Sequence, residues 1–474
     1  MNRTIRALSC LPLAVVFGCS SEPKDDTTPI HMGATFSKTG VSAVTTWGDA
    51  FRLAADDASD GLRQAGFPTG AKLSFDTMVA DTRNDVNITV ERAKELVQQQ
   101  GAKLIINGTS SDTVALSKLA YNDDMSDDID VPIVCVACSS PALHNPNATN
   151  SEAAVQAANR NPEGWVFGLA MSSLPQAHVL WNILVDTTPA GHAPGDINGD
   201  GRVKISTIAL DDAFGIGFQD AMEAVVHEQA PDAIFEKTKH PKDADLNQYD
   251  WSGAIDQLTD SLTDGEGDSS PDVIIEFTFP QFSLALVKAY SSPIPFLHTH
   301  SMRERTVVLS AEGRLEGQQG TSYLPSDGPS GQMFDEHFRE NIEISRQSQW
   351  DSAVYDGTFL FALATLKATQ GMADPSSVTG AAIRDAMKEL NDPDGETIRV
   401  GPEEFAKGAL AISEGRPINY DGASGPCDFD AYGRAKNRIS HWRVNDGQAS
   451  DVGVYDCVKD ASCPKMDSVP AAAQ

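Results

Sequence analysis

Strand-like apolar runs alternate with segments of helical period along the first third of the chain. Residues 32–36, 104–106 and 133–137 are largely apolar and predict strands, whereas residues 87–100 and 113–121 carry apolar side chains at helical spacing. Continuous apolar strands are typical of a parallel sheet that is covered by helices on both faces. This part of the chain therefore predicts a βαβαβαβ unit.

The same alternation continues beyond this unit and then changes character. The predicted strands are residues 203–210, 233–236 and 273–277, and the predicted helices are residues 216–227, 254–262, 283–290, 350–368 and 381–390. After residue 425, short strands separated by Asn-Asp-Gly and Asp-Ala-Tyr-Gly turns predict hairpins. The whole pattern indicates an α/β fold, with candidate linkers at residues 146–162 and 189–201.

Short Ser/Thr/Gly segments follow three of the predicted strands. They are residues 37–40, 108–111 and 138–140. Open α/β sheets bind ligands beyond the carboxyl ends of their strands, so we expect these segments to surround a small-molecule site. Ser110 or Ser111, and Ser139, would lie at helix N-termini, where unpaired amides and the helix dipole favour an anion. The alternative is that these hydroxyls only cap the helices.

The first residues have the composition of a bacterial export signal. Arg3 and Arg6 precede an apolar stretch at residues 7–18, which is too short to span a bilayer. Residues 16–20 resemble the lipobox of bacterial lipoproteins, whose Cys becomes the lipidated first residue of the mature chain. We therefore expect Cys19 to carry the lipid. The alternative is an ordinary signal peptide with an incidental Cys.

Lipidation would divide the N-terminal region in two. Residues 1–18 are the predicted signal peptide and residues 19–29 the predicted tether. Two or three acyl chains, at about 0.8 kcal/mol per buried methylene, would anchor the protein stably. Ser20 is similar to the outer-membrane sorting pattern of Gram-negative lipoproteins. We therefore expect a periplasm-facing lipoprotein of the cell envelope, with the outer membrane favoured.

The net charge argues against nucleic acid as a partner. The formal charge is −31, and loss of Arg3 and Arg6 with the signal peptide would shift it to −33. Such a field repels phosphates, and an anionic ligand would need local hydrogen-bond donors. No run of about 18 apolar residues follows the leader, so we expect membrane contact through the lipid anchor alone.

Six of the seven cysteines follow the predicted cleavage point. Lipidation of Cys19 leaves an odd number in a compartment that permits disulfides, so at least one should be free or paired outside the chain. Cys427, Cys457 and Cys463 all fall in the final strand-rich region, where one bridge is expected. The sequence does not choose its partners.

Cys135 and Cys138 have the spacing of a redox motif between a predicted strand and a helix start. A thiolate there would be stabilised by the backbone amides of the helix N-terminus. A structural or ligand-lining role is the favoured interpretation, and thiol-disulfide chemistry is the alternative.

Five segments in order resemble the type I periplasmic solute-binding proteins, in particular the branched-chain amino-acid-binding group. They are residues 33–40 (GATFSKTG), 81–85 (DTRND), 131–141 (VPIVCVACSSP), 211–215 (DDAFG) and 420–426 (YDGASGP). The resemblance extends from residue 30 to about residue 458. It implies two Rossmann-like lobes with parallel sheets, joined by three hinge crossings.

The resemblance also implies how the chain divides between the lobes. The N-terminal lobe would take residues 30–147 and 298–435, and the C-terminal lobe residues 148–297 and 436–464. Residues 465–474 would form a disordered tail.

Members of the resembled family hold a ligand carboxylate with Ser, Thr and backbone groups of the first lobe, beside an aromatic wall. The carboxylate positions match Ser111, Ala137 and Ser139, with Ser110 and Cys138 beside them, and the wall matches Trp47 and Phe214. Either ring could instead belong to the core. The loop-to-helix entry around Trp47 favours partial exposure of its side chain.

The second lobe departs from the amino-acid-binding pattern. Those relatives pair the ligand ammonium with an acid after an aromatic-Pro step, whereas neutral Gln281 follows Phe279 and Pro280 here. A buried ammonium without a carboxylate would cost several kcal/mol. Glu276 could supply the acid, or it could be a buried structural carboxylate or a surface residue. If it does not supply the acid, the ligand is not a simple α-amino acid.

Two further groups could bind metal. Asp196, Asn198 and Asp200 match the first half of a calcium loop, but Thr207 replaces the bidentate acid at its twelfth position, and an Asx-rich turn is the alternative. His298 and His300 place two imidazoles on one face of a strand without a clear third ligand, so they indicate either a metal site or a polar contact in the cleft.

These observations predict a lipid-anchored, non-enzymatic binding protein that closes two lobes on a small polar ligand, an amino acid or a related compound. The resemblance implies an ABC permease as partner and a monomeric protein without a cofactor, apart from the possible structural calcium. Motifs of hydrolases, zinc peptidases and phosphate-binding loops do not occur. The alternatives are a thiol-disulfide oxidoreductase that uses Cys135 and Cys138, and a surface module that does not serve transport.

Overall fold

The structure is a computed structural model that describes most of the chain. The described residues are 27–40, 43–67, 72–120, 128–144, 164–170, 172–260, 262–263, 268–342, 348–458 and 463–466. The predicted signal peptide, the lipidation site Cys19, most of the tether, the whole linker at residues 146–162 and most of the predicted tail lie outside them. Within these ranges, no helix combines the length and the apolar character that crossing a membrane requires.

Strands and helices alternate as the sequence predicts. The strands are β1 Thr28–Phe36, β2 Leu73–Asp81, β3 Ile105–Asn107, β4 Ile133–Cys135, β5 Val166–Gly168, β6 Lys204–Leu210, β7 Ile234–His240, β8 Leu262–Thr263, β9 Asp268–Ser269, β10 Val273–Phe277, β11 Phe296–His298, β12 Gln319–Leu324, β13 Glu396–Ile398, β14 Ile418–Tyr420, β15 Arg438–Asn445 and β16 Gln448–Tyr455. The helices are α1 Trp47–Gln64, α2 Val86–Lys94, α3 Ser110–Ala120, α4 Pro141–His144, α5 Ser173–Thr187, α6 Ala213–Gln229, α7 Trp251–Thr259, α8 Pro280–Ala289, α9 Arg305–Ser310, α10 Pro329–Ile342, α11 Asp351–Ala368, α12 Gly380–Met387 and α13 Pro402–Ser413.

Two large sheets form the centres of the two lobes. The first has the order β2-β1-β3-β4-β5 and is parallel throughout. The second has the order β16-β15-β12-β11-β10-β6-β7, and only the pairings β12-β15 and β15-β16 are antiparallel. The prediction of an α/β fold with parallel sheets is confirmed.

The continuous apolar strands lie at the centres of the sheets. Every residue of β10 is buried, because α7 and α8 cover one face of the sheet and α6 the other. In the first lobe, α11 is buried along nearly its whole length. The predicted Asn-Asp-Gly turn joins β15 to β16, and Asp446 and Gly447 both have positive φ, as a tight hairpin turn requires.

The chain passes between the two sheets three times, but at other residues than expected. The strand β5 pairs with β4 in the first sheet, although residues 148–297 were assigned to the second lobe. Both β11 and β12 lie in the second sheet, although residues 298–435 were assigned to the first lobe. The first two expected boundaries therefore lie too early in the chain, and the third, at 435/436, stays a prediction.

The crossing segments run side by side. The N–H of Gly168 donates to the carbonyl of Gly433 (2.8 Å), and the N–H of Ala435 donates to the carbonyl of Gly168 (2.7 Å). The N–H of Ser326 donates to the carbonyl of Ala423 (2.9 Å). Short backbone ladders of this kind can bend at a few residues while each sheet keeps its shape. The linker predicted at residues 189–201 is a loop within the second lobe, between α5 and β6.

The cysteines pair as two local disulfides. Cys135 is bonded to Cys138 and Cys457 to Cys463, while Cys427 is free and buried. The prediction of one bridge in the final region and of one free cysteine is confirmed.

A buried carboxylate joins three helices of the first lobe. Asp57 on α1 lies 2.9 Å from Nε2 of His337 on α10 through each of its oxygens, and it accepts a 2.6 Å hydrogen bond from the hydroxyl of Tyr355 on α11. The hydrogen bond to Asp57 is the main cause that raises the pKa of His337, and the nearby Glu340 and Glu403 add to it. Protonated His337 therefore stabilises the packing of α10 against α1.

This network predicts a pH-dependent contribution to stability. Because the pKa of His337 is raised in the folded state, its contribution should be complete below the unfolded value of about 6.5 and should be lost as the pH rises through the folded value. We expect His337→Gln to lower the free energy of unfolding by about 1–3 kcal/mol near pH 5.5, and by less near pH 9. Urea unfolding at both pH values measures the difference. His227→Gln, at an exposed position on α6, is the control, and an equal loss at both pH values would contradict the prediction.

Candidate functional site

A cavity of about 210 Å³ lies between the lobes, at the carboxyl ends of both parallel sheets. Its lining from the first lobe and the adjoining start of α11 is Ala43, Val44, Thr45, Trp47, Gly108, Thr109, Ser110, Ala137, Gln349 and Trp350. Its lining from the second lobe is Phe214, Phe279, Pro280, Gln281, His300, Ser301, Glu304, Thr306 and Val307. The cavity is therefore shared between the two lobes, in the crevice that open α/β sheets use for ligands.

The indole of Trp47 forms the first-lobe wall. It packs edge-on against Phe36 (5.4 Å between ring centroids), and its Nε1 donates to Ser348 Oγ (3.2 Å). The ring lies directly against the backbone of Gly108, where a Cβ would come within 1.9 Å of it. Only glycine allows this contact, so the loop after β3 packs directly against the indole.

Donors of the first lobe come from the loop that leads into α3. The N–H of Thr109 donates to Asn107 Oδ1 (2.9 Å), which shapes the loop. Ser110 opens the helix, and its Oγ accepts from the N–H of Ser140 (3.3 Å), which leaves its own proton available. A hydroxyl donor at the positive end of an 11-residue helix is suited to an anionic group such as a carboxylate.

Rings line the second-lobe side. Phe214, in the first turn of α6, stacks on Phe279 with ring centroids 5.8 Å apart and an interplanar angle of 12°. The imidazole of His300 meets Phe214 edge-on at 5.7 Å and Trp350 at 5.4 Å. Such a wall offers planar contact area to an apolar or aromatic ligand body.

Two buried polar atoms of this wall have no partner. They are Oε1 of Gln281 and Nδ1 of His300. Burial lowers the pKa of His300 to about 3, so the imidazole is neutral at ordinary pH. Glu304 is the one carboxylate among the lining residues, and it is partly exposed. A buried polar atom without a partner is costly, and a bound ligand or water would satisfy it.

The structure brings together about half of the predicted site residues. Those that line the cavity are Trp47, Ser110, Ala137, Phe214 and Gln281. Trp47 is only 6% exposed, so the expectation of partial exposure is wrong: the indole belongs to the core, although it also lines the cavity. Phe214 is 4% exposed, and it likewise belongs to the core and lines the cavity.

Ser111 lies beside the cavity and bridges the two lobes. Its hydroxyl donates to Asp212 Oδ2 (2.9 Å) and accepts from the N–H of Ala213 (3.3 Å). The other oxygen of Asp212 accepts from the N–H groups of Phe214 and Gly215 and thereby caps α6. Burial is the main cause that raises the pKa of Asp212. Asp212 thus caps α6 of the second lobe and also accepts a hydrogen bond from Ser111 of the first lobe.

Cys138 and Ser139 do not line the cavity either. The disulfide between Cys138 and Cys135 is fully buried, and it closes a ring of four residues from which Ala137 reaches the cavity. A buried disulfide does not favour thiol-disulfide exchange, which needs an accessible sulfur. Ser139 is fully buried behind this ring, where its carbonyl accepts from the N–H of Ser173 (2.8 Å).

Glu276 is a buried structural carboxylate. It accepts from the hydroxyl of Ser283 (2.7 Å) and from the N–H of Thr278 (3.2 Å), and it lies 3.3 Å from Nδ1 of His298. These partners turn it away from the cavity, so it does not replace the acid that is missing at Gln281. His298 is held in the same network, and of the two histidines only His300 lines the cavity.

The calcium-like loop forms the predicted alternative, an Asx-rich turn. Asp196 accepts from the N–H groups of Gly199 (2.7 Å) and Gly201 (3.0 Å), and Asn198 accepts from that of Asp200 (2.9 Å). Lys204 donates to Asp200 (2.8 Å). Among the residues that the structure describes, no group of three or more His, Cys, Asp or Glu side chains could hold a metal ion.

Sequence reasoning missed Phe279, Trp350, Gln349 and Glu304. Phe279 and Pro280 were noticed only for the residue that follows them, although Pro at the first position of α8 marks a helix start at the carboxyl end of β10. Trp350 was the first residue of a predicted helix, but nothing local indicates that this helix begins at the cavity. Glu304 precedes a helix that was not predicted.

Comparison with known proteins finds one family and many similar folds. The sequence profile described as periplasmic binding protein matches residues 29–411. No curated protein gives a significant match.

Three solved structures illustrate the likeness. The branched-chain amino acid transporter substrate binding protein LivJ of Streptococcus pneumoniae, in complex with isoleucine, is 14% identical, with 89% of this chain and 98% of that chain covered and a TM-score of 0.60. The leucine binding protein LivK of Thermotoga maritima is 14% identical, with 90% and 99% covered and a TM-score of 0.59. An ABC transporter solute binding protein of R. palustris, in complex with benzoate, is 15% identical, with 94% and 99% covered and a TM-score of 0.61. At these identities the likeness concerns the fold.

The contact between Ser111 and Asp212 predicts the effect of removing one hydroxyl. A hydrogen bond to a charged group contributes about 1.5–3 kcal/mol. We therefore expect Ser111→Ala to shift the equilibrium between closed and open lobes about 10- to 150-fold towards open. Small-angle X-ray scattering of the protein without ligand should show a larger radius of gyration. Ser117→Ala removes a buried hydroxyl farther along the same helix and is the control, and identical scattering of both variants would refute the role of Ser111.

Proposed function

The chain belongs to the periplasmic binding protein family, and from this premise we propose that it binds one small organic solute by closing its two lobes around it. The observation that supports the proposal most directly is the shared cavity, whose donors come from one lobe and whose unpartnered polar atoms come from the other. Only a solute that touches both lobes can favour the closed state, because closure follows the difference in contacts between the two states.

The first-lobe surface supports a solute with an acidic group. Gly108, Thr109 and Ser110 line the cavity, and Ser110 places a hydroxyl at the positive end of α3. Among the described lining residues there is no Lys or Arg, so the acid would be held by neutral donors, as in other anion sites at helix N-termini. The formal charge of −31 repels an anion at long range, so any anion site in this chain must rely on donors that act at short range, as these do.

The size of the cavity limits the solute to one ring or a short branched chain. A cavity of about 150 Å³ holds a benzene molecule, and the cavity here is about 210 Å³. The remaining space accommodates a few polar atoms. Isoleucine and benzoate, which two of the similar structures contain, are of this size class.

Delivery to a transporter is the second element of the proposal. We propose that the protein hands its solute to an ABC permease, as a lipoprotein anchored through Cys19 and exposed to the periplasm. Retention in the outer membrane, which Ser20 favours, would instead suit sensing or scavenging. The permease, the anchor, a monomeric state and the absence of enzymatic activity all rest on the family and on the N-terminal sequence.

Replacement of Ser110 tests the proposed acid site. We expect Ser110→Ala to weaken the binding of carboxylate solutes about 10- to 150-fold, because it removes a hydrogen bond to a charged group. Titration calorimetry with benzoate, 4-hydroxybenzoate, leucine and isoleucine measures the effect, after a melting-shift screen of the same compounds. Trp47 is less suitable for this test because its ring belongs to the core.

Ser117→Ala is again the matched control, since it lies on the same helix and away from the cavity. It should bind as the unaltered protein does. If every tested carboxylate binds Ser110→Ala and the unaltered protein equally, the acid site lies elsewhere. If none of the compounds binds the unaltered protein, the proposed function does not extend to small acids.

A further inference from the structure

We propose that Gln281 and His300 select solutes that carry a neutral N–H or O–H donor at the end opposite the acid group. The inference rests on the proposed function and adds a second requirement to it. Hydroxyaryl acids and acids with a terminal amide are the chemical class that it points to.

The position of Gln281 supports the first contact. Gln281 lies in the first turn of α8, beside Phe279, whose ring stacks on Phe214. Its Oε1 is buried and accepts no hydrogen bond from the protein. An amide oxygen is only an acceptor, so the group that satisfies it must donate.

His300 provides the second contact. Its side chain is 7% exposed and is held between Phe214, Tyr323 and Trp350, so it cannot turn out of the cavity without disrupting these contacts. Its Nδ1 is buried without a partner. In the neutral tautomer that carries its proton on Nε2, Nδ1 is an acceptor, so a donor of the solute would satisfy it.

The surroundings of His300 favour a neutral donor over an ammonium. Burial lowers the pKa of the imidazole to about 3, which means that a positive charge is strongly disfavoured at this place. A ligand ammonium there would meet the same desolvation. Glu276, which could have compensated for it, is engaged by Ser283 and Thr278. Glu304 is partly exposed and therefore lies towards solvent rather than at the buried end.

Matched ligands test the proposal directly. Benzoate and 4-hydroxybenzoate share the ring and the acid and differ by one hydroxyl donor, 4-carbamoylbenzoate supplies N–H instead, and isoleucine carries an ammonium. We expect the unaltered protein to bind 4-hydroxybenzoate or 4-carbamoylbenzoate at least about tenfold more tightly than benzoate. Isoleucine should bind more weakly than the better of these two. Titration calorimetry measures all four affinities.

Two variants locate the selection. Gln281→Leu and His300→Phe each keep a side chain of similar size and remove an acceptor, so each should reduce the ratio of the affinities for the donor-bearing acid and for benzoate from at least about tenfold to near one. Gln281→Glu should move the preference towards isoleucine. Gln332→Leu, at an exposed position on α10, is the control and should change nothing. Melting temperatures without ligand show whether a variant has lost its fold. Because the two acceptors are replaced separately, one variant still tests the proposal if the other does not fold.

The outcomes are distinguishable. Equal affinities of the unaltered protein for benzoate and for both donor-bearing acids would refute the selection and leave the solute-binding function intact. Tightest binding of isoleucine would refute it in favour of an ammonium site. Loss of benzoate binding in Gln281→Leu and in His300→Phe would show a structural role in place of selection. Binding of none of the four compounds would overturn the selection together with the proposed function.

Discussion

The parallel strands of both sheets point their carboxyl ends at one gap, and most of the site depends on this constraint. In the first lobe, β3 ends at Asn107 and leads to the donor loop, and β4 ends at Cys135 and leads to Ala137. In the second lobe, β10 leads to Phe279 and Gln281, and β11 leads to His300. Because the right-handed crossover places a helix after each strand, helix N-termini collect at the same edges. The topology thus places helix N-termini, with their hydrogen-bond donors, at the cavity, and individual side chains add to these donors.

The sequence predicts the positions of strands and helices better than it predicts which strands pair with each other. The strand β10 occupies the predicted residues, and the hairpin of β15 and β16 follows from a turn whose chemistry is local. The first lobe boundary was wrong because it depends on the pairing of β5, a strand of three residues, with β4. The second was wrong because β11 and β12 pair within the second sheet. The hydrophobic periodicity of a segment does not show which distant strand it pairs with.

The site shows the same division between local and non-local information. A helix start at residues 110–111 was predictable, but adjacent helical residues point about 100° apart. Ser110 faces the cavity and Ser111 faces the opposite lobe, and that choice depends on where Asp212 lies. Glu276 was a reasonable candidate acid by its place near a strand end. Its side chain lies on the face covered by α8, where Ser283 engages it, and no sequence signal showed that face.

The cross-link between Cys135 and Cys138 has a consequence for the order of events in recognition. A ring of four residues closed by a bond cannot unravel when the lobes separate, so the backbone around Ala137 keeps its form in the open protein. An arriving solute then meets a preorganised half-site and loses little entropy to loop ordering on first contact. Disulfide formation, which the extracytoplasmic location of the family permits, would therefore shape this half-site before any solute is bound.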